Sequence, residues 1–135
     1  GGMNISANNL ANWMMMFMQY GKGTNGATVL SKESVERMLT PTENAGIYCI
    51  TLRKYENFLD GHTMYGHTGS KYGFKSFMVF DPVSGFGFTL MTSSINTDEF
   101  SLPDLVPVLY KLFINPDFTG TDITVPDDDD ADDVL

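Results

Sequence analysis

The hydrophobic positions change period along the chain, and each change marks a new element. In GGMNISANNLANWMMMFMQYGKG, Leu10, Trp13, Met14, Phe17 and Met18 recur at helical spacing. Ser6 stands where an N-cap belongs, and Gly21 and Gly23 supply the stop. Met15 and Met16 lie off that stripe, so this helix is apolar nearly all round and expects cover on several sides. A shorter helix follows in VLSKESVERMLTP. Ser31 is its N-cap, Val35, Met38 and Leu39 form its inner face, and Pro41 ends it.

From Gly46 the period becomes two. GIYCITLRKYENF predicts a strand, and Asp60-Gly61 predicts a hairpin turn into HTMYGH. A turn over Gly69 to Gly73 leads into FKSFMVFD, the DPVSG turn follows, and FGFTLMTSS returns. Both arms are apolar on both faces. Phe74, Met78 and Phe80 oppose Phe77 and Val79, while Phe86, Phe88 and Leu90 oppose Gly87 and Met91. A sheet apolar on both sides must lie between helices. The last helix is predicted over Leu102 to Ile114, with Pro103 well placed near its start and Pro107 a candidate kink. The fold class is therefore α/β (α+β), an antiparallel sheet sandwiched by helices.

Length and charge narrow this further. A chain of 135 residues fits one domain. Residues 1–118 form the expected body and 119–135 an acidic tail. Six of the 17 acidic residues, Asp127 to Asp130, Asp132 and Asp133, lie in its final stretch VPDDDDADDVL, leaving 8 basic against 11 acidic residues in the rest of the chain. The body is thus nearly balanced and offers no basic face, so no nucleic acid partner is expected. The tail repels itself and buries almost nothing, which predicts disorder. The longest apolar run, Trp13 to Met18, is far short of the ~20 residues that span a bilayer, so no membrane span is expected. No cleavable leader is expected at the start either. The single cysteine, Cys49, cannot form an internal disulfide.

Candidate chemistry concentrates in YGHTGSKYGF, Tyr65 to Phe74. His62 and His67 are five apart, which on a strand puts them on opposite faces, so no shared metal is expected. No serine in the chain is followed three residues later by lysine. Tyr55-Glu56-Asn57 fits Tyr-x-Asn and reads as chance.

The strings GGMNISANNLANWM, VLSKESVERMLTP and YGHTGSKYGFKSFMVFDPVSGFGFTLMTSS resemble the C-terminal part of the serine β-lactamase-like family. That family includes class C β-lactamases, penicillin-binding D-alanyl-D-alanine carboxypeptidases, D-aminopeptidases and related esterases. The resemblance covers residues 1 to 114, and its most specific element is His67-Thr68-Gly69 ahead of a Gly-Phe strand and an Asp-Pro-x-x-Gly turn. The family uses a serine nucleophile in Ser-x-x-Lys, a Tyr-x-Asn-like second motif and a Lys/His-Thr-Gly third motif. Only the third carries over, which implies a piece of a serine hydrolase that lacks its nucleophile and is inactive alone.

On that resemblance His67, Thr68, Gly69 and Ser70 are substrate-binding, for a small-molecule or peptide substrate in the intact protein. Gly69 admits substrate to the backbone, and the Ser70 N–H is an oxyanion donor. No cofactor and no metal is implied. Histidine in place of lysine removes a permanent positive charge, so esterase and aminopeptidase relatives fit as well as those that recognise a carboxylate. A tight inter-strand turn is the alternative reading of His67-Thr68-Gly69. The family sheet has a fifth strand, from upstream, beside the position of Phe86 to Thr92. Without it that edge is bare and self-association through Phe86–Thr92 is expected. An interaction module using this edge is the alternative function. Relatives usually act outside the cytoplasm, which implies an extracytoplasmic location.

Overall fold

The computed structural model describes residues 2–43, 46–59, 61–93 and 102–119. Residues 120–135 of the acidic tail and Asp60 of the predicted hairpin turn lie outside the described residues. Helix α1 spans Ala7–Met18, and the Ser6 side chain accepts from the Asn9 amide at 3.2 Å, as the cap reading requires. Its buried residues are Leu10, Met14, Met16 and Phe17. The predicted stripe is therefore corrected. Met16 goes inside and Trp13 stays 42% exposed, with its ring edge against Phe17. A helix apolar all round does not reveal its inner face by periodicity alone. The chain reverses at Gly21, where φ is 95° and a Cβ would overlap the Leu30 carbonyl. Helix α2 spans Lys32–Met38, is capped by Ser31 on the Ser34 amide at 3.2 Å, and buries Val35.

Four antiparallel strands follow in the order β1-β2-β3-β4: Arg53–Leu59, His62–Lys71, Phe74–Asp81 and Phe86–Thr92. The strand expected from Gly46 is shorter than predicted. Residues Ile47 to Lys54 fold back on themselves, with Tyr48 bridged to Arg53, the Cys49 amide on the Leu52 carbonyl at 2.8 Å, and Thr51 at φ 69°. The alternation of GIYCITLRKY thus belongs to a tight reversal. A second irregularity sits between Tyr55 and Leu59, where the register of β1 against β2 shifts and Asn57 takes φ 56°. The Tyr55-Glu56-Asn57 tripeptide lies at this bulge.

The faces of β3 and β4 are those expected. On one, Met78 and Phe80 pack with Leu10, Met14, Met16, Phe17, Val35, Leu39, Cys49 and Leu52. On the other, Phe77, Val79 and Phe86 pack with Tyr55, Phe58, Leu59, Met64, Val106 and Tyr110. Gly87 is required by the first layer. A Cβ there would lie 2.7 Å from both Met14 Sδ and Phe80 Cβ, so only glycine lets α1 settle on the sheet. A 3₁₀ turn, Leu102–Asp104, precedes helix α3, Leu105–Phe113. Pro107 falls in the first turn of α3, where no intrahelical donor is needed, so it sets where the α-helix begins rather than kinking it. The sheet is thus covered by α1 on one face and α3 on the other.

Candidate functional site

His67, Thr68, Gly69 and Ser70 stand together inside β2, not in a turn. The predicted reversal over Gly69 to Gly73 contracts to Tyr72-Gly73. Both have positive φ, 50° and 77°, and Lys71 pairs directly with Phe74. A two-residue hairpin closes on a hydrogen-bonded pair, and such pairs alternate along an antiparallel ladder. Lys71, Gly69, His67 and Tyr65 therefore spend their backbone groups on β3. Met64 and Gly66 spend theirs on β1, with Tyr55 and Arg53. The Lys54 amide agrees with this alternation, since it points away from β2 to the Ile47 carbonyl at 2.8 Å.

The same count sends the N–H and C=O of Thr68 and Ser70 toward the β1 side. There β1 has run out, because its pairing with β2 ends at Arg53↔Gly66. Among the described residues no strand pairs with this half of β2 on that side. One of its groups is used locally: His67 Nδ1 lies 2.5 Å from the Thr68 carbonyl, so Nδ1–H donates and a neutral ring leaves Nε2 as an acceptor. His67 and Ser70 are exposed, and Thr68 and Gly69 half-buried. The four residues make a continuous, accessible strip of backbone.

Their side chains do not converge. His67 and Gly69 sit on the α1 face of the sheet, and Thr68 and Ser70 on the α3 face. Gly69 has a packing account of its own, since a Cβ there would lie 2.5 Å from the Ser76 hydroxyl. The adjacent Gly66 is pinched harder: a Cβ would overlap the Met78 carbonyl, backbone on backbone. Cations gather around this end of the sheet. Arg53, Lys54, Lys71 and Lys75, half of the chain's 8 basic residues, lie on β1, β2 and β3. Lys54 pairs with Glu56 at 2.7 Å, and Arg53 is buried, donates to the Tyr48 hydroxyl and stacks on its ring.

A second polar cluster escaped the reading of the sequence. His62 Nδ1 lies 2.8 Å from Asp81 Oδ2, and His62 Nε2 lies 3.1 Å from the Tyr110 hydroxyl. Asp81 is only 3% exposed. Its other oxygen accepts from the Val83 and Ser84 amides at 2.8 and 3.2 Å. Burial alone would raise the Asp81 carboxyl. The bonds from His62, Ser84 and the two amides outweigh it and hold the group below its usual range. The cluster clamps α3 to the sheet and to the DPVSG turn. The sequence marks Asp81 as a turn residue but carries no sign of a partner 19 residues away.

His62 and His67 occupy opposite faces of β2, and among the described residues no cluster of His, Cys, Asp or Glu could hold a metal. Cys49 is buried, sits 3.4 Å from the Leu39 carbonyl, and has its thiol pushed up by burial, which keeps it protonated and unreactive. No described helix is long and apolar enough to cross a membrane.

Comparison with known proteins bears on the fold. The chain is similar to the octameric penicillin-binding protein homologue from Pyrococcus abyssi, at 26% identity and a TM-score of 0.53. The match covers 66% of this chain and 20% of that one, so the chain spans about a fifth of that protein's length. The four-stranded sheet with its helices is therefore a penicillin-binding-protein-like fold. No family model matches, and no curated protein does.

Proposed function

We propose that this chain is the substrate-holding part of a serine hydrolase related to penicillin-binding proteins. The reaction is cleavage of an amide or ester through an acyl-serine; a β-lactam or a cell-wall D-amino acid peptide is the substrate that the resemblance suggests. The observation that carries this reading is the open half of β2, where the Thr68 and Ser70 backbone groups face outward beside the His67-Thr68-Gly69 motif. An extended ligand pairs with those groups as an added strand does.

The Ser70 N–H then donates to the oxyanion as the tetrahedral intermediate forms, which is worth ~3 kcal/mol in acyl transfer. The surrounding lysines favour the developing negative charge. His67, with Nδ1 bonded to Thr68, offers Nε2 as an acceptor where a lysine would offer a fixed charge. Ester and aminopeptidase-like substrates therefore fit as well as those recognised by a free carboxylate. The attacking serine is supplied by a segment other than these 135 residues, since no Ser-x-x-Lys occurs in them. Incubation of the pure chain with a chromogenic ester, a D-amino acid anilide and a fluorescent penicillin should give neither turnover nor labelling. Turnover or a covalent adduct contradicts the missing nucleophile. Amide NMR during titration with a short acetylated peptide should move Thr68 and Ser70 first.

A second reading, an interaction module, has its own observation. Among the described residues β4 is an edge strand, and the sequence from Phe86 to Asn96 carries no charge. The β1 edge, by contrast, carries a bulge and the Lys54–Glu56 pair, both of which discourage pairing. Self-association through Phe86–Thr92 follows from this, and an octameric neighbour is in keeping with it.

A further inference from the structure

Tyr72 is out of place by every local rule. It occupies the first position of a two-residue turn at φ 50°, where asparagine, aspartate or glycine is favoured and a bulky side chain is strained. The residue is 95% exposed, so packing does not offset the strain. The one contact its ring makes in the described structure is Lys71 Nζ, 5.1 Å from its centroid. Phe74, the turn's closing residue, is also 45% exposed. This aromatic tip ends the hairpin whose open edge carries Thr68 and Ser70.

Register connects the two. An extended chain advances about 6.6–6.8 Å for every two residues. A ligand residue opposite Ser70 is followed, two positions on, by one that passes Tyr72. We infer that Tyr72 is a specificity residue. Its exposed ring stacks against a flat apolar or aromatic side chain on the same extended ligand whose backbone pairs with Thr68 and Ser70. The inference rests on the ligand-holding reading of that edge. Strain kept at an exposed tip without return in packing fits a role in recognition. Lys71 draws on one face of the ring and leaves the other for the ligand.

The test compares three five-residue peptides, acetylated and amidated, long enough to run from Thr68 to Tyr72: Ala-Ala-Ala-Ala-Ala, Ala-Ala-Ala-Ala-Phe and Phe-Ala-Ala-Ala-Ala, the last two covering both strand directions. Each is titrated into the chain and into Tyr72→Asn, with backbone amide NMR as readout. One phenylalanine peptide should bind roughly threefold to tenfold tighter than the alanine peptide, with shifts at Tyr72 as well as Thr68 and Ser70. In Tyr72→Asn that ratio should fall to about one, while the melting temperature rises because asparagine suits the turn. A preference that persists in Tyr72→Asn, or no preference in the native chain, overturns the inference while leaving the edge reading intact. Peptides that move neither Thr68 nor Ser70 overturn both. A lower melting temperature for Tyr72→Asn would mean the ring serves the fold, and also overturns it.

Discussion

Replacing Asp81 with alanine removes the centre of the clamp between the sheet, the DPVSG turn and α3. A hydrogen bond to a charged group contributes about 1.5–3 kcal/mol. The Val83 and Ser84 amides belong to a turn with exposed side chains, so water replaces much of what Asp81 gives them. The bond to His62 is different, because the side chains of His62 and Asp81 are 17% and 4% exposed. The expected loss is therefore about 2–3 kcal/mol at pH 7, read from urea unfolding. Its pH dependence is fixed in sign. The folded Asp81 carboxyl lies below its usual value, so its contribution is complete above the unfolded value of ~3.9 and fades as pH falls through the folded one. The gap between native chain and Asp81→Ala should close in acid strong enough to protonate the folded carboxyl. Asp81→Asn keeps an oxygen for the two amides and should lose less. A gap that in strong acid, below about pH 3, is as large as at pH 7 or larger refutes the reasoning.

Two further substitutions test the frame of the site. Gly66→Ala drives a methyl into the Met78 carbonyl, where neither backbone can move without parting β2 from β3. It should cost about 3 kcal/mol in the same unfolding assay, and a loss under about 1 kcal/mol would contradict the pinch. Thr89 pairs with Met78, a β3 residue whose backbone groups are spent on β2, so the Thr89 N–H faces outward from β4. Thr89→Pro should therefore block pairing at that edge without breaking the ladder, and light scattering should show monomers. Dimers that survive it rule out self-association through Phe86–Thr92.

Where one local force dominates, the sequence is sufficient. Ser6 and Ser31 are caps because their side chains satisfy amides three residues on, and no distant contact competes. The alternation of Phe74 to Leu90 survives because burial on two faces leaves one register. The misreadings occur where tertiary context decides. Trp13 and Met16 are equally apolar, and only the groove between α1 and the sheet chooses Met16. Residues 46–52 alternate like a strand, yet a reversal at Thr51 takes them back across Arg53. The candidate site was legible as a motif but not as a geometry. Nothing in His67-Thr68-Gly69-Ser70 says that β1 stops one residue short of it, or that Gly69 makes room for Ser76. The His62–Asp81–Tyr110 clamp joins residues up to 48 apart and left no local trace.

Hydrogen–deuterium exchange resolved at single amides tests the open edge most directly. Thr68 and Ser70 should exchange roughly 100-fold or more faster than His67 and Gly69, whose amides are held by β3. Equal, strong protection of all four would mean that another segment already covers this strand, and the backbone strip proposed to hold substrate would not exist.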